Sequence, residues 1–181
     1  MAGEGFIPGH RRWILYPRPN GFGTGSVGET TTSANALYVF TSYVSRPATP
    51  EKVAWPPEGY VPYQVVYPRW SLSINTGSSV DFSSAVVTMT EGGSSVGLTV
   101  VSRTDNGYGD NTIVWEPTWL SFVPGAQDRT FSITVSNIIV GGSPKTEAYN
   151  VVVIDPAVTS DGIFSDGFES GGLSLWSQSI P

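Results

Sequence analysis

The sequence contains a single histidine, His10, and no cysteine among its 181 residues. A cysteine nucleophile, a thiolate metal site and a disulfide framework are therefore excluded. Any serine or threonine nucleophile activated by an imidazole would have to use His10 as its base. Zinc sites take three or four protein ligands, so one imidazole does not hold a metal without further ligands. No spacing of carboxylates indicates a glycosidase pair. These residues argue against an enzyme.

Aromatic and proline residues are dense between Trp55 and Tyr63 (WPPEGYVPY). Trp55, Tyr60 and Tyr63 are the candidate binding residues, as a stacking platform for sugar rings or as a groove for a peptide. The alternative is a stiff connector whose rings pack between two domains, because large aromatic side chains bury much area on few residues.

Two further stretches resemble ligand-binding motifs, and each has a simpler structural explanation. Asp105–Asn111 (DNGYGDN) gathers oxygen ligands of the kind calcium takes, but the spacing is not that of a helical calcium loop, and we favour a hairpin turn with Asn106-Gly107 at its tip. Gly23–Gly28 matches Gly-x-Gly-x-x-Gly, although no helical pattern follows it as a dinucleotide site requires. We interpret the glycines as a turn between strands.

The charge balance limits the partners. The chain has 9 Lys and Arg against 15 Asp and Glu, a net charge of −6, with no basic stripe. Nucleic acid is a poor candidate, since phosphate neutralisation supplies most of that affinity. No apolar run approaches the roughly 18 residues of a membrane-spanning helix, and the first residues show no signal peptide.

The strand pattern predicts a mainly β fold. Thr130–Ser136 alternates polar and apolar residues, and similar alternation is centred on Leu72, Val87 and Val151. Weaker strands are predicted at 96–101 and 112–115. Six or seven strands separated by Gly-rich turns predict an antiparallel β-sandwich of immunoglobulin-like or fibronectin-like type. We divide the chain into a segment with its linker (1–50), the β-sandwich domain (51–157) and an acidic, flexible tail (158–181).

Three N-terminal motifs carry a resemblance to a known family. Gly9–Pro17 (GHRRWILYP), Gly21–Gly25 (GFGTG) and Asn35–Phe40 (NALYVF) look like the end of a bacterial CAP domain, the superfamily of the cysteine-rich secretory, antigen 5 and pathogenesis-related proteins. The resemblance implies a partial α/β segment before the sandwich and an extracellular location. In that family two histidines and two acidic residues line a cleft that binds a divalent metal in some members, and His10 matches the second histidine.

The other three cleft positions lie well upstream of His10 in the family, and only nine residues precede it here. We therefore expect a fragment: His10 would be a metal ligand only if a missing upstream half supplied the others. The chain itself is expected to need no cofactor, with a divalent metal conceivable only in a full-length parent. The tail (SDGFESGG at 165–172, then LWS) resembles segments near the C-termini of exported bacterial proteins.

Three functional hypotheses follow. The first is a non-catalytic extracellular bacterial protein whose β-sandwich serves adhesion, binding or spacing. The second is the C-terminal piece of a metal-dependent CAP protein acting on peptide or polysaccharide. The third is a carbohydrate-binding module. The partner is unknown, with cell-surface polysaccharide or protein the candidates.

Overall fold

A computed structural model of the chain describes residues 9–28, 34–45, 47, 50–75, 78–103, 109–118, 121–125 and 127–157. The tail predicted over 158–181 and residues 105–108 of the calcium-like loop lie outside the described residues. We call residues 9–45 the amino-terminal unit and residues 50–157 the β body.

The described residues are mainly strand, which confirms the mainly β prediction. Helical structure is limited to the helix α1 and a 3₁₀ turn at Tyr63–Val65 within the described part. The elements are α1 Gly9–Leu15, β1 Gly23–Val27, β2 Ala34–Tyr38, β3 Lys52–Trp55, β4 Gly59–Pro62, β5 Trp70–Ile74, β6 Val80–Asp81, β7 Val86–Glu91, β8 Ser94–Ser95, β9 Leu98–Ser102, β10 Asn111–Pro117, β11 Arg129–Val140 and β12 Ser143–Ile154.

The β body contains two open sheets. One has the strand order β3-β5-β10-β9, with antiparallel pairing throughout. The other has the order β4-β12-β11-β7-β8, with β6 pairing beside β7 on β11. Its pairs are antiparallel except β4 with β12, which run in parallel. The immunoglobulin-like or fibronectin-like classification remains a prediction.

One hydrophobic core joins the two sheets. Phe131, Ile133 and Val135 of β11 are buried on one face, as the alternation predicts. They belong to the same cluster as Trp70 of β5 and Trp115 of β10, both of which are 0% exposed. The ring centroids of Trp70 and Phe131 lie 5.8 Å apart in an edge-to-face arrangement. The side chains of both sheets thus fill a common interior.

Two of the predicted Gly-rich turns are found in the structure, whereas the predicted number of strands is too low. Gly92–Gly93 and Gly141–Gly142 have positive φ values at the ends of hairpins, where a side chain would be strained. The sequence predicted six or seven strands in the body, and four short strands were missed. Of these, β4 begins with Gly59 and ends with Pro62, two residue types that weaken the strand signal.

The amino-terminal unit contains α1 and the β1–β2 hairpin. The helix α1 is about two turns long and ends at Leu15, because Pro17 disfavours helix in the residue before it. β1 pairs with β2 from Gly23 opposite Tyr38 to Val27 opposite Ala34. In the described part this two-stranded sheet shares no pairing with the sheets of the body. The glycines at 23–28 therefore lie on a strand and directly after its end.

Candidate functional site: the contact between α1 and the β body

The predicted binding residues lie in different environments. Trp55 is half-buried in β3, and Tyr63 in the 3₁₀ turn packs against the hydrophobic core. Tyr60 on β4 is 61% exposed. Only one of the three rings is thus displayed to solvent. The platform and the connector both stay predictions.

His10 lies on α1 with its side chain exposed. Within the described residues, no group of three or more His, Cys, Asp or Glu side chains is arranged to hold a metal ion. The metal hypothesis for His10 remains a prediction that depends on ligands from elsewhere.

The outer face of the four-stranded sheet is polar and yet buried. Ser71 of β5 and Thr112 of β10 alternate with the core residues, so their side chains point away from the core. Ser71 is only 4% exposed and Thr112 only 1% exposed. The next outward residue of β10, Val114, is also buried. The outer face of this sheet, whose alternating polar residues normally indicate exposure to solvent, is thus covered.

Arg12 of α1 reaches this face and is itself buried. Its Nη2 donates a hydrogen bond to the backbone oxygen of Asp110, 2.8 Å away. Thr112 Oγ1 donates to the same oxygen at 2.8 Å, and Asn75 Nδ2 donates to Asp110 Oδ1 at 2.7 Å. The hydroxyls of Ser73 and Thr112 lie 2.8 Å apart. The guanidinium therefore enters an already connected polar network, as a buried charge requires.

Arg11 makes a second contact one residue earlier. Its Nη2 donates to Ser71 Oγ at 3.3 Å, and its guanidinium carbon lies 5.7 Å from the centroid of the Trp55 ring. A guanidinium over an indole is a favourable cation–π arrangement. Arg11 therefore covers one side of the Trp55 ring, which was a candidate surface for sugar stacking.

The contact between α1 and the body is a structural joint. Arg12, Leu15 and Tyr16 face Ser73 and Asp110 across a shallow cleft. The polar groups there bond to one another, which favours a joint over a catalytic centre. Sequence reasoning named Arg11 and Arg12 only within the GHRRWIL motif and Asp110 only within the calcium-like loop, and it did not predict that they meet. The available signal was the pair of adjacent arginines within the short helix α1.

Four aromatic residues of the amino-terminal unit pair with one another. The centroids of Trp13 and Phe40 lie 5.4 Å apart, and those of Tyr16 and Tyr43 lie 5.9 Å apart, both edge-to-face. These pairs connect α1 to the chain that follows β2. Large exposed apolar residues are concentrated in this unit: Ile14, Phe22, Val27, Tyr38, Phe40, Tyr43 and Val44.

No protein-family model matches the sequence, and a comparison with curated proteins likewise finds no match. The resemblance to a CAP domain therefore rests on the three N-terminal motifs. Within the described residues, no helix has both the length and the apolar character needed to cross a membrane.

Proposed function

We propose that this chain is a non-catalytic extracellular bacterial protein in which a β-sandwich of immunoglobulin-like or fibronectin-like type serves adhesion, binding or spacing. In this proposal the sandwich holds the CAP-like segment in a fixed position. The two sheets around a common core support the sandwich classification, and the mostly antiparallel pairing agrees with it.

The observation that carries the proposal is the buried contact of α1. Arg12 and the outward polar residues of β5 and β10 are covered together. Burial of a guanidinium is tolerated only with hydrogen-bond partners held in place, so the contact fixes the helix on the sheet. A body that holds its neighbouring segment rigidly suits a spacer or a presenting module.

Binding to bacterial cell walls tests this function directly. The full chain is incubated with purified walls, sedimented, and the supernatant is assayed for released peptides and reducing sugars. We expect the protein to sediment with the walls and to release neither product. Release of sugars or peptides above a heat-denatured control would contradict the non-catalytic proposal, and failure to sediment would contradict adhesion.

The exposure of Tyr60 favours one second candidate, a carbohydrate-binding module. Tyr60 lies on an edge strand with most of its side chain exposed, and an exposed aromatic ring can stack against a sugar ring. Tyr60→Ala should reduce retention on insoluble polysaccharide, whereas Tyr38→Ala, at 60% exposure on the hairpin, is the matched control. Equal retention of both variants and the unaltered chain would remove this candidate.

A further inference from the structure

The second strand of the β body, β4, and its last strand, β12, are paired side by side and in the same direction. The register of β4 with β12 runs from Gly59 opposite Val151 to Pro62 opposite Ile154. β3 and β4 begin the body, and β12 ends it. The chain therefore enters the body through β3, which pairs with β5 of the other sheet, continues into β4, and leaves from β12, the parallel neighbour of β4.

The entry and the exit of the chain lie at opposite ends of these strands. At one end Lys52, where β3 begins, contacts Glu147 in the middle of β12. At the other end Pro62 lies opposite Ile154, where β12 finishes. Tension between residues 50 and 157 would pull β3 and β4 toward the first end and β12 toward the second. Such a force slides the parallel strands past one another, so all their hydrogen bonds are loaded together.

We propose that the β body is a force-bearing module, with the β4–β12 pair as its mechanical clamp. The inference deepens the proposed spacing or adhesion role and rests on it for its biological purpose. A protein that connects a surface to a partner carries tension through its ends. Sheared strands resist that tension better than strands separated one bond at a time, because no single hydrogen bond breaks alone.

An ion-pair network strengthens the same junction. Lys52 Nζ lies 3.0 Å from Glu147 Oε2, and Lys145 Nζ lies 2.9 Å from Glu147 Oε1. Lys145 also approaches Glu51 at 3.4 Å. Lys52 lies over the ring of Tyr149, 5.6 Å from its centroid. The network connects the entry of β3 to β12 across the two sheets, so tension at residue 50 acts on it directly.

Single-molecule force spectroscopy on the full chain tests the clamp. Since the sequence lacks cysteine, Pro50→Cys with Ala157→Cys defines the shearing geometry without competing thiols. Asp128→Cys with Ala157→Cys is the control, because Arg129 lies opposite Val153 at one end of an antiparallel pair, where the same protein is unzipped. We expect a severalfold higher unfolding force in the shearing geometry. Equal forces would overturn the proposal.

Glu147→Gln separates the ion-pair network from general stability. Glu91→Gln is its matched control, because Glu91 pairs with Arg129 between antiparallel strands away from the path of the force. We expect Glu147→Gln to lower the shearing force and Glu91→Gln to leave it nearly unchanged. Equal losses would overturn the role of the network. The force ratio is independent of cell-wall binding, so failure of the clamp and failure of the proposed function are distinguishable.

Discussion

The β body and the amino-terminal unit are both rich in aromatic residues and use them in opposite ways. In the body, Trp70, Trp115 and Phe131 are enclosed between two sheets. In the unit, Tyr38 and Phe40 remain largely exposed around a two-stranded sheet. A hairpin alone has no second layer against which to bury a face, and isolated hairpins are marginally stable in water. A high apolar content therefore does not by itself produce a hydrophobic core, because a second packed layer is needed to cover the apolar face.

The largest expected difference in stability is between alanine substitutions of a buried phenylalanine in the body, Phe131, and of an exposed one in the unit, Phe40. Phe131→Ala removes a ring that is 0% exposed and contacts Trp70 and Phe122, so we expect a loss of about 3–5 kcal/mol in the free energy of unfolding. Phe40→Ala removes a ring that is 68% exposed and should change this free energy by roughly 0.5 kcal/mol or less. Chemical denaturation measures both. Similar losses of unfolding free energy in the two variants would contradict the proposed difference between the enclosed core of the body and the exposed rings of the unit.

Arg12→Ala should detach the unit while the body stays folded. A buried hydrogen bond from a charged group contributes roughly 1.5–3 kcal/mol, and this one connects α1 to Asp110. Hydrogen exchange should show lost protection in α1 with unchanged protection in β11 and β12. Arg18→Ala is the control, because Arg18 Nε donates to Val44 O at 3.0 Å within the unit. Uniform loss of protection across the body would show that the two regions unfold as one.

The core was predictable from the sequence because period-two alternation marks every strand that has one buried face. The inward residues of β5, β7, β11 and β12 were identified in this way, and all are buried. The short strands β3, β4, β6 and β8 were missed, because two to four residues are too few to display a period.

The joint could not be predicted, and the reason is physical. Ser71, Ser73 and Thr112 occupy alternating positions that normally face water, and nothing local distinguishes a solvated polar face from one covered by a distant helix. Arg12 and Asp110 are 98 residues apart in sequence. The aromatic stretch illustrates the same limit, since composition alone does not separate the exposed Tyr60 from the half-buried Trp55.

Tyr149→Phe should stabilise the body slightly. The hydroxyl of Tyr149 is buried without a hydrogen-bond partner among the described residues, and burial raises the pKa of this phenol. Removing the hydroxyl abolishes a desolvation cost, so we expect a gain of about 1 kcal/mol by urea denaturation at neutral pH. The exposed Tyr60→Phe should produce no change. A loss of stability in Tyr149→Phe would indicate that the hydroxyl has a bonding role.

The raised pKa of Tyr149 also determines how the stability of the body changes at alkaline pH. The neutral phenol is favoured in the folded protein, so its contribution is complete below the pKa of an unfolded tyrosine, about 10, and declines above it. Tyr149→Phe should therefore show a shallower loss of stability above about pH 10 than the unaltered chain.

The smallest effect is expected in acid, and it should be confined to the body. Arg129 donates to Glu91 through Nε at 2.6 Å and Nη2 at 2.8 Å, and this hydrogen bonding holds the pKa of Glu91 below its ordinary value. Burial alone would raise the pKa of Glu147, but its bonds with Lys145 and Lys52 outweigh burial and lower it. A lowered carboxyl pKa contributes stability above the unfolded value, about 4.3, that is lost as the pH falls through the folded value.

Glu91→Gln should therefore flatten the decline of the unfolding free energy below about pH 5, with a difference of less than roughly 1 kcal/mol at neutral pH, as for other partly exposed ion pairs. Denaturation series from pH 7 to pH 3 measure the slope. The described residues of the amino-terminal unit, 9–28 and 34–45, contain no Asp or Glu, and the carboxylate between β1 and β2 in the sequence is Glu29. In a Glu29→Gln background, which removes that carboxylate, the NMR resonances of β1 and β2 should remain unchanged over the range in which the Glu91 pair titrates. If the hairpin resonances shift together with those of β7 and β11, the joint at Arg12 transmits changes in the body to the unit.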